Sequence, residues 1–257
     1  PQAATEIKGI NEVRQAATAV ANTSFTVDAP HSSTQSTTNQ DGSVNVSFLL
    51  DRSGSMNSLT EDVIGGFNTF VANQQGLAGT CIFTAAQFDG TDPFELLYDR
   101  VPITDVEELD ADRYQPRGNT PLFDAVAALI NNVQSGSGNT EAGAEQIVVV
   151  FTDGLENASR TWTRDQLFDL IEQKKTQGWT FVFMGANQDA YTEGGRIGFN
   201  AGNVQNFRGD GKGMREAWSS VDRAVGEYRG ATFEERGSRR GDFFTGTKEA
   251  ELDHSSR

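Results

Sequence analysis

Apolar residues along this chain follow two spacings, one typical of buried strands and the other of amphipathic helices. Between residues 44 and 230, apolar runs of strand length alternate with stretches in which an apolar residue recurs every three or four positions. The predicted strands cover residues 44–50, 80–88, 95–98, 146–151, 180–184 and 204–207. Because strands that alternate with helices usually form a parallel sheet covered on both faces, the pattern predicts a doubly wound α/β fold with a mostly parallel six-stranded sheet.

Local signals predict where several of the helices begin. A capping box, in which a hydroxyl and a later glutamate or glutamine satisfy the first backbone amides, is indicated at Ser58 with Glu61 and again at residues 163–166. Pro121 fits the first position of another helix, and Thr120 is its expected cap.

The two ends of the chain differ from this central region. In residues 1–43, apolar residues spaced by three and four predict a short amphipathic helix, followed by a polar low-complexity linker. That helix is either a docking element or a frayed terminus. Residues 231–257 carry many charges and are expected to wrap a surface or to stay mobile. The predicted organisation is an arm and linker at 1–43, a domain at 44–230 and a C-terminal tail at 231–257.

Composition narrows the class of partner. The chain has 257 residues, with 36 acidic and 21 basic side chains and a formal net charge of −15. Because that charge repels phosphate backbones and anionic lipids, neither nucleic acid nor a membrane is an expected partner. No stretch approaches the roughly 20 apolar residues of a membrane span and no signal-peptide pattern begins the chain, so a cytoplasmic setting is expected, with a virion as the alternative. Cys81 is the single cysteine, which excludes an intrachain disulfide, and is expected to be a buried apolar side chain.

Oxygen-bearing side chains occupy three separate loops near the ends of predicted strands. Asp51, Ser53 and Ser55 come directly after the first strand, Thr120 precedes a helix, and Asp153 follows the strand at 146–151. Open α/β sheets bind ligands at the carboxyl ends of their strands, so we expect these groups to converge. Carboxylates and hydroxyls are hard donors that suit Mg²⁺, Mn²⁺ or Ca²⁺. The sequence therefore predicts a divalent metal site, with Mg²⁺ favoured because it retains waters and needs few carboxylates.

Each fragment has a simpler explanation when it is taken alone. Residues 51–55 could form a turn, helix capping alone could explain Thr120, and Asp153 with Gly154 is a common turn. Together, the side chains favour the metal site. Two carboxylates roughly balance a divalent charge, so such a site still attracts an outside anion. A glutamate or aspartate of a partner could replace one metal-bound water, which would make the site a receptor for carboxylates.

This set of residues resembles the metal-ion-dependent adhesion site (MIDAS) of von Willebrand factor A domains. The family motif is Asp-x-Ser-x-Ser, a later Thr and a later Asp, and Asp51, Ser53, Ser55, Thr120 and Asp153 match it in full. The resemblance covers about residues 44–230. It implies a six-stranded sheet whose short antiparallel edge strand would be residues 95–98. It also implies that the serines and the threonine are frequent direct ligands, while the aspartates often act through water.

Within that family, the amino-acid sequences of several motifs are more similar to those of intracellular bacterial and phage members than to those of secreted animal adhesion domains. Residues 183–189 and 194–202 carry this likeness. Related proteins often work beside ring-shaped ATPases, so the resemblance implies an AAA+ ATPase as one class of partner.

The favoured function is a divalent-metal-dependent protein-binding module that captures a glutamate or aspartate of a partner protein. Loops after residues 50, 153 and 184 would form the rim of the site. The candidate rim side chains are Asn119, Glu156, Asn157, Asn187 and Asp189. The alternative is a structural component of a larger assembly, such as a phage particle, anchored by the N-terminal arm and with the metal site secondary.

Enzymatic activity is not expected. The two histidines, His31 and His254, lie in the linker and near the C-terminus, and neither a Gly-x-Ser-x-Gly nucleophile motif nor a phosphate loop is present. Catalysis would therefore depend on Asp51, Asp153 or Glu156 as a base for a metal-bound water.

Overall fold

The structure is a computed structural model that describes residues 43–136, 144–186 and 190–245. The strands are β1 (Val44–Asp51), β2 (Cys81–Phe88), β3 (Glu95–Pro102), β4 (Glu145–Thr152), β5 (Thr180–Ala186) and β6 (Val204–Phe207). The α-helices are α1 (Thr60–Gln75), α2 (Leu122–Ser135), α3 (Arg164–Thr176), α4 (Ala190–Arg196), α5 (Gly211–Gly230) and α6 (Phe233–Arg239). The helix predicted in the N-terminal arm lies outside the described residues.

The strands form one six-stranded sheet in the order β3-β2-β1-β4-β5-β6. Every neighbouring pair is parallel except β2 and β3, which are antiparallel. The predicted α/β class and the mostly parallel six-stranded sheet are confirmed, and so is the antiparallel edge strand. That strand is longer than expected, since β3 continues from Glu95 to Pro102.

Helices cover both faces of the sheet, which is why the central strands are buried along their whole length. In β1, Phe48 and Leu50 belong to the apolar cluster formed with α1 and α5, whereas Leu49 belongs to the cluster on the other face, with α2 and α3. Trp218 of α5 is stacked on Phe151 of β4 with ring centroids 4.3 Å apart. Burying a side chain of this size contributes roughly 1.5–3 kcal/mol, so the two clusters dominate the stability of the fold.

The predicted helix starts are confirmed in one case and wrong in another. Thr163 caps α3 in a complete capping box with Gln166, as expected. The box predicted at Ser58 is wrong, because Ser58 lies inside a 3₁₀ helix, Gly54–Leu59, that leads directly into α1. The chain therefore becomes helical immediately after Ser53, several residues before the predicted start.

Thr120 is not the helix cap that the sequence suggested. The residue at the N-cap position of α2 is Pro121, and no side chain at that position accepts a hydrogen bond from the helix. The first amides of α2 are satisfied from a distant loop instead. Phe123 N donates to Glu156 Oε2 at 2.9 Å, and Asp124 N donates to Ser159 Oγ at 3.1 Å. The hydroxyl of Thr120 is therefore not needed to cap the helix.

The described part of the predicted tail, residues 231–245, packs against the domain. The helix α6 begins with a capping box at Thr232, and Phe243 and Phe244 are fully buried in the cluster that contains Tyr228 of α5. The guanidinium of Arg236 is also buried and donates to the carbonyl of Tyr228. These residues are therefore not mobile, because they complete the core; the domain boundary at residue 230 stays a prediction.

Two expectations from composition can be compared with the structure. Cys81 is buried and unpaired, as expected, and burial raises the pKa of its thiol to about 11, so it remains an apolar, unreactive side chain at neutral pH. Among the helices of the described residues, none has both the length and the apolar character needed to cross a membrane.

Candidate metal centre

The topology of the sheet places the predicted site at its middle. β1 is paired with β2 on one side and with β4 on the other, and the connection after β1 leads to one half of the sheet whereas the connection after β4 leads to the other half. Leu50 is in register with Phe151, which brings the two strand ends to the same level. Such a switch point opens a crevice at the carboxyl ends of parallel strands.

The loop after β1 and the loop after β4 are joined through their side chains. Asp51 Oδ1 accepts a hydrogen bond from Ser53 N at 2.7 Å, and Asp51 Oδ2 accepts one from the Thr152 hydroxyl at 2.6 Å. Ser55 Oγ donates to Asp153 Oδ1 at 2.6 Å and lies 3.1 Å from Ser53 Oγ. The 3₁₀ turn that begins at residue 54 brings the two serine hydroxyls together, so four of the predicted site residues form one polar cluster.

Thr120 brings the third loop to the same place. Its backbone exchanges two hydrogen bonds with Asn157: Thr120 N donates to Asn157 Oδ1 at 2.9 Å, and Asn157 N donates to Thr120 O at 3.1 Å. A Cβ built on Gly154 would lie 3.0 Å from Thr120 Oγ1, 3.7 Å from Asp51 Oδ2 and 3.7 Å from Ser55 Oγ. Oxygens from the loop after β1 and the loop before α2 therefore lie beside Gly154 of the loop after β4, and the glycine adds no side chain between them.

Burial weakens the acidity of both carboxylates. It raises the pKa of Asp51 to about 6, against the opposing hydrogen bonds from Thr152 and Ser53, and the nearby charge of Asp153 adds to the rise. Burial also raises the pKa of Asp153, against the hydrogen bond from Ser55. Two partly desolvated carboxylates that repel each other would be stabilised by a cation between them. The electrostatics of the cluster therefore fit a bound metal.

The donor set also indicates which kind of cation fits. Within the described ranges, no group of three or more His, Cys, Asp or Glu side chains could hold a metal ion. The candidate centre instead combines two carboxylates with three hydroxyls, the hard oxygen donors that suit Mg²⁺, Mn²⁺ or Ca²⁺. The structure thus brings together all five predicted residues, Asp51, Ser53, Ser55, Thr120 and Asp153. Their role as metal ligands stays a prediction.

Two of the predicted rim residues, Glu156 and Asn157, are hydrogen-bonded to neighbouring loops. Glu156 accepts hydrogen bonds from the backbone amides of Phe123, Ala158 and Ser159 and from the Ser159 hydroxyl, at 2.6–2.9 Å. The side-chain oxygen Oδ1 of Asn157 accepts a hydrogen bond from Thr120 N. Both side chains therefore help to hold loops of the site in place. Asn157 is also exposed, so its place on the rim stays a prediction.

The remaining rim candidates have mixed outcomes. Asn119 is exposed beside Thr120, as a rim residue should be. Asn187 and Asp189 lie outside the described residues. Leu155, two residues after Asp153, was missed although its side chain is 54% exposed. An exposed leucine in a loop is common, so the residue type alone gives no signal of function.

Sequence reasoning also missed two buried groups next to the site, the Tyr114 hydroxyl that contacts the backbone of Asp51 and the Arg52 guanidinium. Tyr114 is fully buried and its hydroxyl donates to the carbonyl oxygen of Asp51 at 2.5 Å. Burial and then the charges of Asp51 and Asp153 raise the pKa of Tyr114, so its hydroxyl stays a donor. Arg52 is 4% exposed and its guanidinium pairs with Asp89. The one available signal was an arginine directly after a buried strand, since a buried cation needs an anionic partner.

Comparison with known proteins gives a family and several similar folds. A model described as the von Willebrand factor type A domain matches residues 45–211. No curated protein sequence matches the chain significantly. A structure of proximal thread matrix protein 1 from the mussel byssus, with a zinc-occupied MIDAS motif, has a TM-score of 0.53 and 18% identity over 70% of this chain and 47% of that chain.

Two further structures share the fold at lower identity. The pilus adhesin SpaC from Lactobacillus rhamnosus GG has a TM-score of 0.54 and 12% identity over 72% of this chain and 30% of that chain. The SpRpn10 VWA domain has a TM-score of 0.50 and 9% identity over 68% of this chain and 93% of that chain. The chain spans less than half the length of several of the solved chains it matches, at 42–47%. At these identities the likenesses show the fold alone.

Proposed function

The chain belongs to the von Willebrand factor type A domain family, and we propose that it is a divalent-metal-dependent protein-binding module whose MIDAS captures an acidic side chain of a partner protein. One observation carries the proposal: side chains of three separate loops meet at one place. Ser55 Oγ donates to Asp153 Oδ1, and Thr120 Oγ1, Asp51 Oδ2 and Ser55 Oγ all lie within 3.7 Å of the position that a Cβ on Gly154 would take. The proposed metal ligands are Asp51, Ser53, Ser55, Thr120 and Asp153.

Each of these residues has a distinct part in the proposed site. The hydroxyls of Ser53, Ser55 and Thr120 would bind the cation directly. Asp51 and Asp153 would balance its charge, directly or through water. Asp153 also accepts a hydrogen bond from the Ser55 hydroxyl, and Asp51 accepts one from the backbone amide of Ser53. A bound cation, Mg²⁺ by preference and Mn²⁺ or Ca²⁺ as alternatives, supplies a positive centre to which a carboxylate oxygen can bind.

One side of the cluster is exposed, so a side chain of a partner could reach a cation bound there. Asp51, Ser53 and Thr120 are buried, whereas Ser55 is exposed. An approaching carboxylate would therefore reach the cation from the Ser55 side. The chain carries a net charge of −15, which repels an acidic group at long range. Only a cation at the cluster reverses this locally, so capture of an acidic partner should require the metal.

We propose binding rather than catalysis. Of the three candidate bases, Asp51 and Asp153 would serve the metal, and both oxygens of Glu156 are engaged by the loop and the start of α2. A general base needs an oxygen within reach of a reacting proton, and Glu156 offers none in this arrangement. The setting is proposed to be cytoplasmic, with a virion as the alternative, and the partner an AAA+ ATPase or a structural assembly, on the strength of the family resemblance and the acidic charge.

The proposal is tested by metal-dependent capture. The immobilised full chain is incubated with an extract in Mg²⁺, washed, and eluted with EDTA; the retained protein is then purified and its acidic residues are substituted one at a time. We expect retention that EDTA abolishes, that Ser55→Ala removes and that one acidic substitution in the partner removes. Thr176→Ala, which deletes an exposed hydroxyl that only caps the end of α3, is the matched control. Capture that survives both EDTA and Ser55→Ala would contradict the proposal.

A further inference from the structure

We propose that an ion-pair bridge centred on the buried carboxylate of Asp89, together with the hydroxyl of Tyr114, positions the metal-binding loops relative to one another. None of these groups belongs to the predicted ligand set. The inference rests on the proposed function, because a positioning role has meaning only if the loops hold a metal.

The carboxylate of Asp89 joins two loops through a single oxygen. Asp89 is 0% exposed at the end of β2, and its Oδ2 accepts from Arg52 Nε at 2.8 Å and from Arg117 Nε at 3.0 Å. Its other oxygen, Oδ1, accepts from the amides of Thr91 and Asp92 at 2.6 and 2.9 Å. The carboxylate is thus fixed by its own loop, and both arginines are fixed by the carboxylate.

The two arginines lie within the loops that supply ligands. Arg52 is the residue between Asp51 and Ser53, and Arg117 precedes Thr120 by three positions. Side-chain contacts that hold these two residues therefore set the separation of the hydroxyls of Ser53 and Thr120. A shift of one loop by half an ångström would spoil the geometry that a small divalent cation demands.

Backbone contacts show that the same two loops run side by side. Arg117 N donates to Arg52 O at 2.8 Å, and Gly54 N donates to Gly118 O at 3.0 Å. Gly118 has a φ of 67°, the left-handed conformation that suits glycine, and a Cβ there would lie 3.3 Å from Gly90 N. The ion-pair bridge therefore reinforces a tightly packed junction of the loops after β1 and β2 and before α2.

Tyr114 holds the first loop from another direction. Its ring is fully buried, and its hydroxyl donates to the carbonyl oxygen of Asp51 at 2.5 Å. That carbonyl belongs to the peptide bond between Asp51 and Arg52. The hydroxyl thus fixes the backbone between the first predicted metal residue and the arginine that reaches Asp89.

The bridge also removes an electrostatic obstacle. The guanidinium of Arg52 lies one residue from Asp51 and, left unpaired, would repel a divalent cation. Asp89 and Glu95 both pair with it, at 2.6 and 2.7 Å. Burial alone would raise the pKa of Asp89, but the amides of Asp92 and Thr91 and the guanidiniums of Arg117 and Arg52 outweigh it and lower that pKa, so the carboxylate stays charged.

The fold offers matched controls at the amino end of β4, away from the predicted metal site. Glu145, at the start of β4, is also a buried carboxylate paired with an arginine, Arg240, at 2.7 Å. Tyr228 is also a fully buried tyrosine with a hydroxyl hydrogen bond, 3.0 Å from Glu145 Oε2. Glu145→Gln therefore matches Asp89→Asn, and Tyr228→Phe matches Tyr114→Phe, in burial and in the group removed.

The experiment is a calorimetric titration of Mn²⁺, without any partner, into the full chain and these four variants, with circular dichroism to confirm folding. We expect Asp89→Asn to weaken Mn²⁺ binding by about 10- to 100-fold, as outer-shell substitutions do. We expect Tyr114→Phe to weaken it by about 3- to 10-fold, the value of one neutral hydrogen bond. Glu145→Gln and Tyr228→Phe should stay within about twofold of wild type, although each should lower the midpoint of thermal unfolding.

The outcomes separate this inference from the proposed function. Absence of Mn²⁺ binding by the wild type would overturn the proposed function and the inference with it. Tight binding by the wild type and undiminished binding by Tyr114→Phe and Asp89→Asn would overturn the inference alone. Equal losses in the variants and in their controls would also overturn it, since stability rather than positioning would then set the affinity. If Asp89→Asn does not fold, Tyr114→Phe decides the question, because it removes one oxygen and leaves the ring in place.

Discussion

At the scale of single residues, the ratio of hydroxyls to carboxylates decides what the candidate centre can bind. Asp51 and Asp153 carry the negative charge, and three neutral hydroxyls complete the cluster. A third carboxylate would more than neutralise the charge of a divalent cation. With two carboxylates, the bound cation can still attract an anion from outside the protein. Gly154 matters as much as the polar residues, because its missing side chain leaves space between them.

The size of that space can be tested by adding one carbon. In Gly154→Ala, the new Cβ would lie 3.0 Å from Thr120 Oγ1 and 3.7 Å from Asp51 Oδ2. We expect Mn²⁺ affinity to fall by about tenfold, because oxygens that move by a few tenths of an ångström no longer match the cation. Gly195→Ala, whose Cβ would meet nothing within 4 Å, is the control. Calorimetric titration of Mn²⁺ measures both, and unchanged affinity in Gly154→Ala would show that the oxygens beside Gly154 do not hold the cation.

At the scale of elements, α1 shows how one helix can combine tight packing with an exposed position. Gly66 faces α5, and Trp218 occupies the volume that a side chain at position 66 would need. Gly65, the residue before it, has no atom within 4 Å of the position that its Cβ would take. The close approach of α1 and α5 therefore depends on one glycine and not on its neighbour.

Alanine substitutions at these neighbouring positions should have opposite effects on stability. In Gly65→Ala, we expect the free energy of unfolding to rise by about 0.5–1 kcal/mol, because alanine favours the helix and nothing obstructs it. In Gly66→Ala, the Cβ would lie 2.0 Å from Trp218 Cδ1, so we expect a loss of about 1–3 kcal/mol or more as α5 is displaced. Urea denaturation followed by circular dichroism measures both changes. Similar effects of the two substitutions would contradict the packing described for this helix pair.

The elements also show where prediction from the sequence succeeds. The strands and the amphipathic helices follow from periodicity, because each buried face needs apolar residues at a fixed spacing. Thr163 was predicted correctly as a cap since its partner, Gln166, is three residues away. Thr120 was predicted wrongly because the acceptors for α2 come from Glu156 and Ser159, more than 30 residues along the chain. Contacts over such distances leave no local pattern.

In the candidate centre too, some residues could be predicted from the sequence and others could not. Its five oxygen-bearing residues were predicted because they make up the motif, and because all of them except Thr120 follow a predicted strand closely. Tyr114 and Asp89 were not, because a buried tyrosine and an aspartate at a turn have many ordinary roles. Only the fold shows that one reaches the carbonyl of Asp51 and the other joins Arg52 to Arg117. What holds a site in position is thus harder to predict than what the site contains.

At the scale of the whole molecule, the sheet order explains why residues so far apart in sequence meet. β1 and β4 are neighbours in the middle of the sheet, and the loops at their carboxyl ends border one crevice. The core that supports this crevice extends beyond the predicted domain, since Phe243 and Phe244 complete the cluster on the α5 face. The net charge of −15 draws cations toward the protein and repels acidic partners until a cation is bound.

The most direct test of the metal-dependent function locates the cation itself. Crystals of the full chain grown with Mn²⁺ should show one anomalous-scattering peak between Ser53 Oγ, Ser55 Oγ and Thr120 Oγ1, at about 2.0–2.3 Å from each, as first-row divalent ions bind oxygen. Crystals of Asp51→Ala grown in the same conditions should lack it. A peak elsewhere with none at the three hydroxyls, or no peak at Mn²⁺ concentrations well above the physiological range, would contradict the account.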